Sequence, residues 1–134
     1  MLRGMTTITY YADDVAAARD WYAEVLGIEA YFVRPEEGTP AYVEFRVGDF
    51  LHELGILDAA YATGDRTGGG PITYWAVDDL GASLERLLAL GATPHRELVE
   101  HGPGYVTASV LDPFGNVLGL MYNEHYLRIA EAKA

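Results

Sequence analysis

The sequence predicts an α+β chain made of two tandem βαβββ modules. Three observations carry this. The first is an internal repeat: ITYYADDVAAARDWYAEVLG at 8–27 matches ITYWAVDDLGASLERLLALG at 72–91. At a constant offset of 64, eight of those 20 positions are identical: Ile8/Ile72, Thr9/Thr73, Tyr10/Tyr74, Ala12/Ala76, Asp14/Asp78, Ala18/Ala82, Leu26/Leu90 and Gly27/Gly91. The second is a switch of hydrophobic period inside each copy, from strand-like to helix-like. The third is the run of β-branched and aromatic segments between Gly- and Pro-containing turns after each helix.

Each copy opens on a β-branched and aromatic strand, Thr6 to Ala12 and Ile72 to Val77. An Asp doublet follows, Asp13-Asp14 or Asp78-Asp79, whose carboxylates suit the free N–H groups of a helix start. Aligning the doublets requires an offset of 65 instead of 64, so two strand registers are open, and a slip of one exchanges the faces of a strand. In the first helix Val15, Ala18, Tyr22 and Leu26 form one stripe; in the second Leu80, Leu84, Leu87, Leu88 and Leu90 do so. Gly27 and Gly91 stand where a left-handed C-terminal cap belongs. Three further strands are expected in each half: 29–33, 41–47 and 50–57, with Gly48-Asp49 as a hairpin turn, then 93–99, 105–111 and 117–122. The domain organisation that follows is one domain over 1–134. Module one covers about 6–61, a Gly- and Thr-rich linker about 62–70, module two about 71–122, and a terminal helix about 124–134.

Composition narrows the function classes. Of 134 residues, 50% are hydrophobic and 22% charged, a balance typical of a water-soluble domain. The chain has no cysteine, which removes disulfides and thiolate metal ligands. It shows neither a secretory leader nor an apolar run of membrane-spanning length, so a cytoplasmic protein is expected. A net charge of −11 argues against nucleic-acid partners, which require clustered Lys and Arg, and favours a cationic ligand.

The order βαβββ twice, with YYADDVAAARDWYAEVLG, PITYWAVDDL, LALGA and DPFGNVLGLM, resembles the vicinal oxygen chelate superfamily. That superfamily includes glyoxalase I, extradiol dioxygenases, fosfomycin resistance enzymes and bleomycin resistance proteins. The resemblance implies a curved eight-stranded mixed sheet around a ligand cavity, helices on its outer face, and often a homodimer. Alternation fits this layering: Ala41, Val43, Phe45 and Val47 suit the helix side, and Tyr42, Glu44 and Arg46 the cavity side. Likewise Val106, Ala108 and Val110 suit the core, leaving Tyr105, Thr107 and Ser109 for the cavity.

Metal-using members of the superfamily carry one ligand on the first strand of each module, His or Gln, and one on the last, usually Glu. Neither first strand here holds His, Gln or Glu on either face. Glu53 in LHELG matches the family Glu of module one, whereas in module two that position falls on Gly119. A single carboxylate does not make a zinc, nickel or iron site. The four histidines, His52, His95, His101 and His125, are read as solvent-facing or edge residues, and no nucleophile or phosphate-loop motif appears. No metal, cofactor or catalytic residue is therefore expected.

The resemblance is closest in character to the metal-free bleomycin-resistance-like branch, and this implies sequestration of an organic, cationic or aromatic molecule in a tyrosine-lined acidic cavity. The expected ligand-binding residues are Tyr11, Tyr42, Glu44, Glu53, Tyr74, Tyr105, Thr107, Ser109 and Met121. Which of Tyr10/Tyr11 and Tyr74/Trp75 face inward depends on the strand register. Gly119 is expected to leave room for the ligand beside Val117 and Met121. The expected partners are a small organic ligand and a second copy of the chain, with no nucleic acid and no membrane. Two other readings stand beside this one. The first is an enzyme of the same superfamily, with unusual metal ligands or with Glu53 as general base should burial raise its pKa. The second is a domain whose sheet edge serves assembly with another protein.

Overall fold

The computed structural model describes Met1, Arg3, residues 5–62 and residues 72–133. The expected linker lies almost wholly outside the described residues. The chain divides into two compact units, Met1–Thr67 and Gly68–Ala134, each built as βαβββ.

In module one, β1 (Thr7–Ala12) leads into α1 (Val15–Leu26), followed by β2 (Phe32–Arg34), β3 (Tyr42–Val47) and β4 (His52–Asp58). The sheet order is β1-β4-β3-β2, with β1 parallel to β4 and the other pairs antiparallel. In module two the same plan is drawn by β5 (Thr73–Ala76), α2 (Leu80–Ala89), β6 (Thr93–Gly102), β7 (Tyr105–Leu111) and β8 (Val117–Asn123), in the order β5-β8-β7-β6. A 3-10 turn, Ala59–Tyr61, follows β4 in module one, and α3 (Glu124–Lys133) follows β8 in module two. No helix among the described residues is long and apolar enough to cross a membrane.

The two helices start as the Asp doublets dictate. The second Asp of each pair is the cap: Asp14 accepts from the Ala17 N–H at 3.0 Å and Asp79 from the Ala82 N–H at 3.0 Å. Gly27 ends α1 in the left-handed region, φ 69°, where a side chain would be strained. The stripe Val15, Ala18 and Tyr22 is buried against the sheet. In α2 the buried positions are Leu80 and Leu87, while Leu88, one residue round the helix, is exposed.

Each helix covers one face of its own sheet, on the two strands carrying the most apolar rows. Val43, Phe45, Leu54 and Ile56 are buried under α1; Ala108, Val110, Leu118 and Leu120 are the matching core of module two. The opposite face of each sheet, here called the open face, carries the alternate residues.

This layering settles the strand register. Tyr10 is 6% exposed, sits opposite Ile56 and packs its ring on Tyr22 of α1, centroids 6.0 Å apart, so it faces the helix. Trp75 holds the matching place opposite Leu120, whereas Tyr74 sits opposite Gly119 on the open face. The first strands therefore correspond at an offset of 65, the offset of the capping Asp residues. The identity Tyr10/Tyr74 pairs two residues of opposite facing.

Three strand bounds differ from expectation. The turn before β4 is longer than Gly48-Asp49: Leu51 donates its N–H to the Gly48 carbonyl at 3.1 Å and takes φ 53°, so the strand begins at His52. β2 is short, beginning three residues later and ending one later than the expected 29–33, at the point where Pro35 offers no N–H to the ladder. β6 runs on to Gly102 because three bulges, between Pro94/Arg96, Arg96/Val99 and Glu100/Gly102, keep it paired with β7 past the apolar residues.

Candidate functional site

The open face of module one is a closed polar network. Tyr42 and Glu44 are two apart on β3 and therefore point the same way; the Tyr42 hydroxyl donates to Glu44 Oε1 at 2.5 Å. The Tyr42 ring lies over Gly55, where an added Cβ would come within 2.8 Å of its Cε1. Glu53 has both carboxylate oxygens engaged: the Thr7 hydroxyl donates to Oε2 at 2.6 Å and Arg46 Nη1 to Oε1 at 2.8 Å. The Arg46 guanidinium also sits 4.8 Å from the Tyr31 ring centroid.

The charges of this network follow its contacts. The Thr7 hydrogen bond is the largest influence on Glu53; burial, next in size, opposes it, and the hydrogen bond and charge of Arg46 help hold the carboxyl below the ordinary pKa. Burial, then the neighbouring charge of Glu53, push Glu44 up, with Arg46 opposing. Burial and the charge of Glu53 likewise push the Tyr42 phenol up. The condition for Glu53 as general base, a pKa raised by burial, is not met.

Module two presents a different open face. A groove of about 450 Å³ lies over β5, β6 and β7, a size suited to a small organic molecule. Its walls include the rings of Tyr74 and Tyr105, 39% and 44% exposed, and its floor includes Thr107, Ala108 and Ser109. Two histidines reach this floor from β6. His95 Nδ1 shares a hydrogen bond of 2.8 Å with Ser109 Oγ, and His101 Nε2 one of 2.7 Å with Thr107 Oγ1. The His101 ring also leans on Tyr105, centroids 4.8 Å apart. Arg96 and Glu97 complete the charged lining.

The nine expected binding residues thus fall into two groups. Tyr42, Glu44 and Glu53 meet on module one, with Tyr11 on the same strand face as Thr7. Tyr74, Tyr105, Thr107 and Ser109 meet in the module-two groove, and Met121 stands on β8 opposite Thr107 and outside the lining. Reading the sequence missed His95, Arg96 and His101. The three bulges break strict alternation along β6, so the faces of its residues are not read from odd and even positions. The accessible signal was the stretch TPHRELVEHG itself: two histidines flanking a strand opposite the hydroxyls of Thr107 and Ser109.

Gly119 corrects a second expectation. A Cβ there would lie 2.6 Å from the Thr73 carbonyl oxygen and 2.7 Å from Tyr74 Cδ1. The space beside Gly119 is filled by the neighbouring strand and the Tyr74 ring, and leaves no room for a ligand. Gly55 and Gly119 are thus the same device in two modules, each a glycine on the last strand beneath a tyrosine.

The donors do not fit the divalent ion that the superfamily's metal-using members hold. Glu53 already serves Thr7 and Arg46, and the β8 open face offers Gly119 and Met121 in place of a carboxylate. Among the described residues no group of three or more His, Asp or Glu is placed to share an ion.

Comparison with known proteins agrees with the architecture. The family model described as Glyoxalase/Bleomycin resistance protein/Dioxygenase superfamily matches residues 4–120. Among solved structures the chain is similar to TioX from Micromonospora sp. ML1, with 19% identity, a TM-score of 0.67, and 90% of this chain and 98% of that one covered. It is similar to a glyoxalase-related enzyme from Fulvimarina pelagi at 19% identity and TM-score 0.67, covering 92% of this chain and 90% of that one. It is also similar to lactoylglutathione lyase from Agrobacterium tumefaciens at 20% identity and TM-score 0.66, covering 92% and 96%. No curated protein matches the sequence. The match over residues 4–120, on a chain folded as two βαβββ modules, places this chain in the glyoxalase/bleomycin resistance protein/dioxygenase superfamily.

Proposed function

We propose that this protein is a small-molecule-binding member of its superfamily that holds a flat, aromatic organic ligand against the open face of module two. The single observation that carries this reading is the groove of about 450 Å³ flanked by two half-exposed tyrosine rings over hydroxyls fixed by histidines. Exposed rings with polar tips bind planar molecules by stacking, and the Thr107 hydroxyl keeps hydrogen-bonding capacity beyond its bond to His101, whereas Ser109, 1% exposed, is covered. Binding without metal chemistry is supported by the donor set, because the one family-type carboxylate, Glu53, stands alone and already accepts from Thr7 and Arg46, one hydrogen bond on each oxygen. The same two hydrogen bonds, with a lowered pKa, speak against Glu53 as a proton-abstracting base.

The test is equilibrium titration with 2-naphthol as a neutral aromatic probe, in the presence and absence of a chelator. Binding is expected to be indifferent to the chelator. Tyr105→Ala, a change at an exposed ring, is expected to weaken it about three- to tenfold, the usual worth of one aromatic contact. Binding that needs an added divalent ion, or that ignores Tyr105→Ala, contradicts the reading. Turnover of a thiol adduct of methylglyoxal or of a catechol, abolished by the chelator, would replace it with the enzymatic one.

A further inference from the structure

The protein as a whole is strongly acidic, with nine Lys and Arg against 20 Asp and Glu. Among the described residues three basic groups are held in ion pairs: Arg19 with Asp20, Arg34 with Glu36 and Arg46 with Glu53. Arg96 differs. It lines the module-two groove, and no ion pair among the described residues engages it. One of the four histidines of the chain, His101, lines the same groove and bonds the Thr107 hydroxyl, while His95, outside the lining, bonds that of Ser109. Glu97 is the opposing charge in the lining.

The net negative field does not decide what binds there. Surface charges are screened beyond about 8 Å at physiological ionic strength, so a contact pair outweighs the distant carboxylates. At contact, a guanidinium presents planar paired donors that match a carboxylate in two parallel hydrogen bonds. Glu97, an acceptor only, takes N–H or O–H donors and offers an anion nothing. The Arg96 guanidinium is the one side chain of the lining that only donates hydrogen bonds.

We propose that the ligand of this groove is an aromatic acid, its ring between Tyr74 and Tyr105 and its carboxylate on Arg96. The proposal rests on the aromatic-binding reading above and adds the charge of the ligand, which it makes negative in a protein whose net charge alone favours a cation. The ring-to-acid spacing it requires is short, because Arg96 lies directly opposite Ser109 on the groove floor.

The experiment compares three probes of one shape on the whole chain at pH 7: 2-naphthoate, 2-naphthol and 2-naphthylmethylammonium, by calorimetry and by amide chemical shifts. The naphthoate is expected to bind about five- to tenfold tighter than the ammonium, the worth of one partly exposed ion pair. Arg96→Gln is expected to erase that margin while leaving 2-naphthol within about twofold, since a lone exposed arginine contributes little else. A tighter ammonium, or a naphthoate margin untouched by Arg96→Gln, overturns the proposal. Two outcomes separate it from the reading beneath it. If 2-naphthol shifts amides of β6 and β7 but naphthoate binds no tighter, the anion inference fails and the aromatic site stands. If none of the three binds at millimolar concentration, both fail.

Discussion

Modules one and two share a frame and differ in what they leave unfinished. Both lay a capped helix over a row of buried apolar residues, and both place a glycine of the last strand under a tyrosine ring. On module one the open face has closed on itself: Tyr42 is spent on Glu44, and Glu53 on Thr7 and Arg46. On module two the hydroxyls are fixed by histidines, but the rings of Tyr74 and Tyr105 and the Arg96 guanidinium still face the groove. The lesson is that family membership follows the shared frame, whereas ligand choice follows whichever face keeps free valences.

The shared frame breaks most expensively at its cores. Phe45→Ala in module one should cost about 3–5 kcal/mol and Leu120→Ala in module two about 2–5 kcal/mol, because both delete fully packed side chains. Chemical denaturation monitored by fluorescence measures this. A cost below 1 kcal/mol at either site would show that the two modules are not equivalently packed.

The glycines sharpen the comparison. At Gly119 a methyl group meets the Thr73 carbonyl, a backbone atom locked in the β5–β8 ladder, so Gly119→Ala should cost about 1–3 kcal/mol. At Gly55 the obstacle is the far end of the Tyr42 side chain, which is free to swing at the loss of its bond to Glu44. Gly55→Ala should therefore cost about 1 kcal/mol, the worth of that bond. Equal costs at the two sites would refute the distinction between a backbone and a side-chain obstacle.

A turn of module two offers a further test. Asp112 is 4% exposed and accepts from the Phe114 N–H at 2.9 Å, the Asn116 N–H at 2.8 Å and Asn116 Nδ2 at 2.7 Å. It fixes the DPFGN turn that leads into β8. Asp112→Ala strands these donors and should cost about 1–3 kcal/mol by the same denaturation assay.

The smallest effects concern the carboxylates of module one. Glu53 has its pKa lowered in the fold, so its stabilising contribution is present above its unfolded pKa and is lost as pH falls through the folded one. Glu44 has its pKa raised, so its sign is opposite: the folded form binds the proton more tightly, and stability from this group falls as pH rises through that window. Carboxyl-carbon NMR should show Glu53 ionising first and Glu44 later as pH is raised. The reverse order would mean that the Thr7–Glu53–Arg46 arrangement does not persist in solution.

Much of this was legible in the sequence. The repeat, the Asp caps and the apolar rows declare two βαβββ modules because helix starts and buried rows are local patterns with fixed periods. The faces of Tyr10 and Tyr74 were not legible, because sequence identity aligns them at an offset of 64 while the caps and strand faces follow 65. The histidines were hidden by the bulges of β6, which take residues off the two-residue period on which facing is read. Gly119 was misread as room, since only the positions of Thr73 and Tyr74 show that the space is taken.

The central claim is that the open face of module two, and not that of module one, receives the ligand. Titrating the ¹⁵N-labelled chain with 2-naphthol and mapping amide shifts tests it most directly. The account expects saturable shifts centred on Tyr74, His101, Tyr105, Thr107 and Ser109. Shifts centred instead on Thr7, Tyr42, Glu44 and Glu53, with the groove residues unmoved, would contradict it.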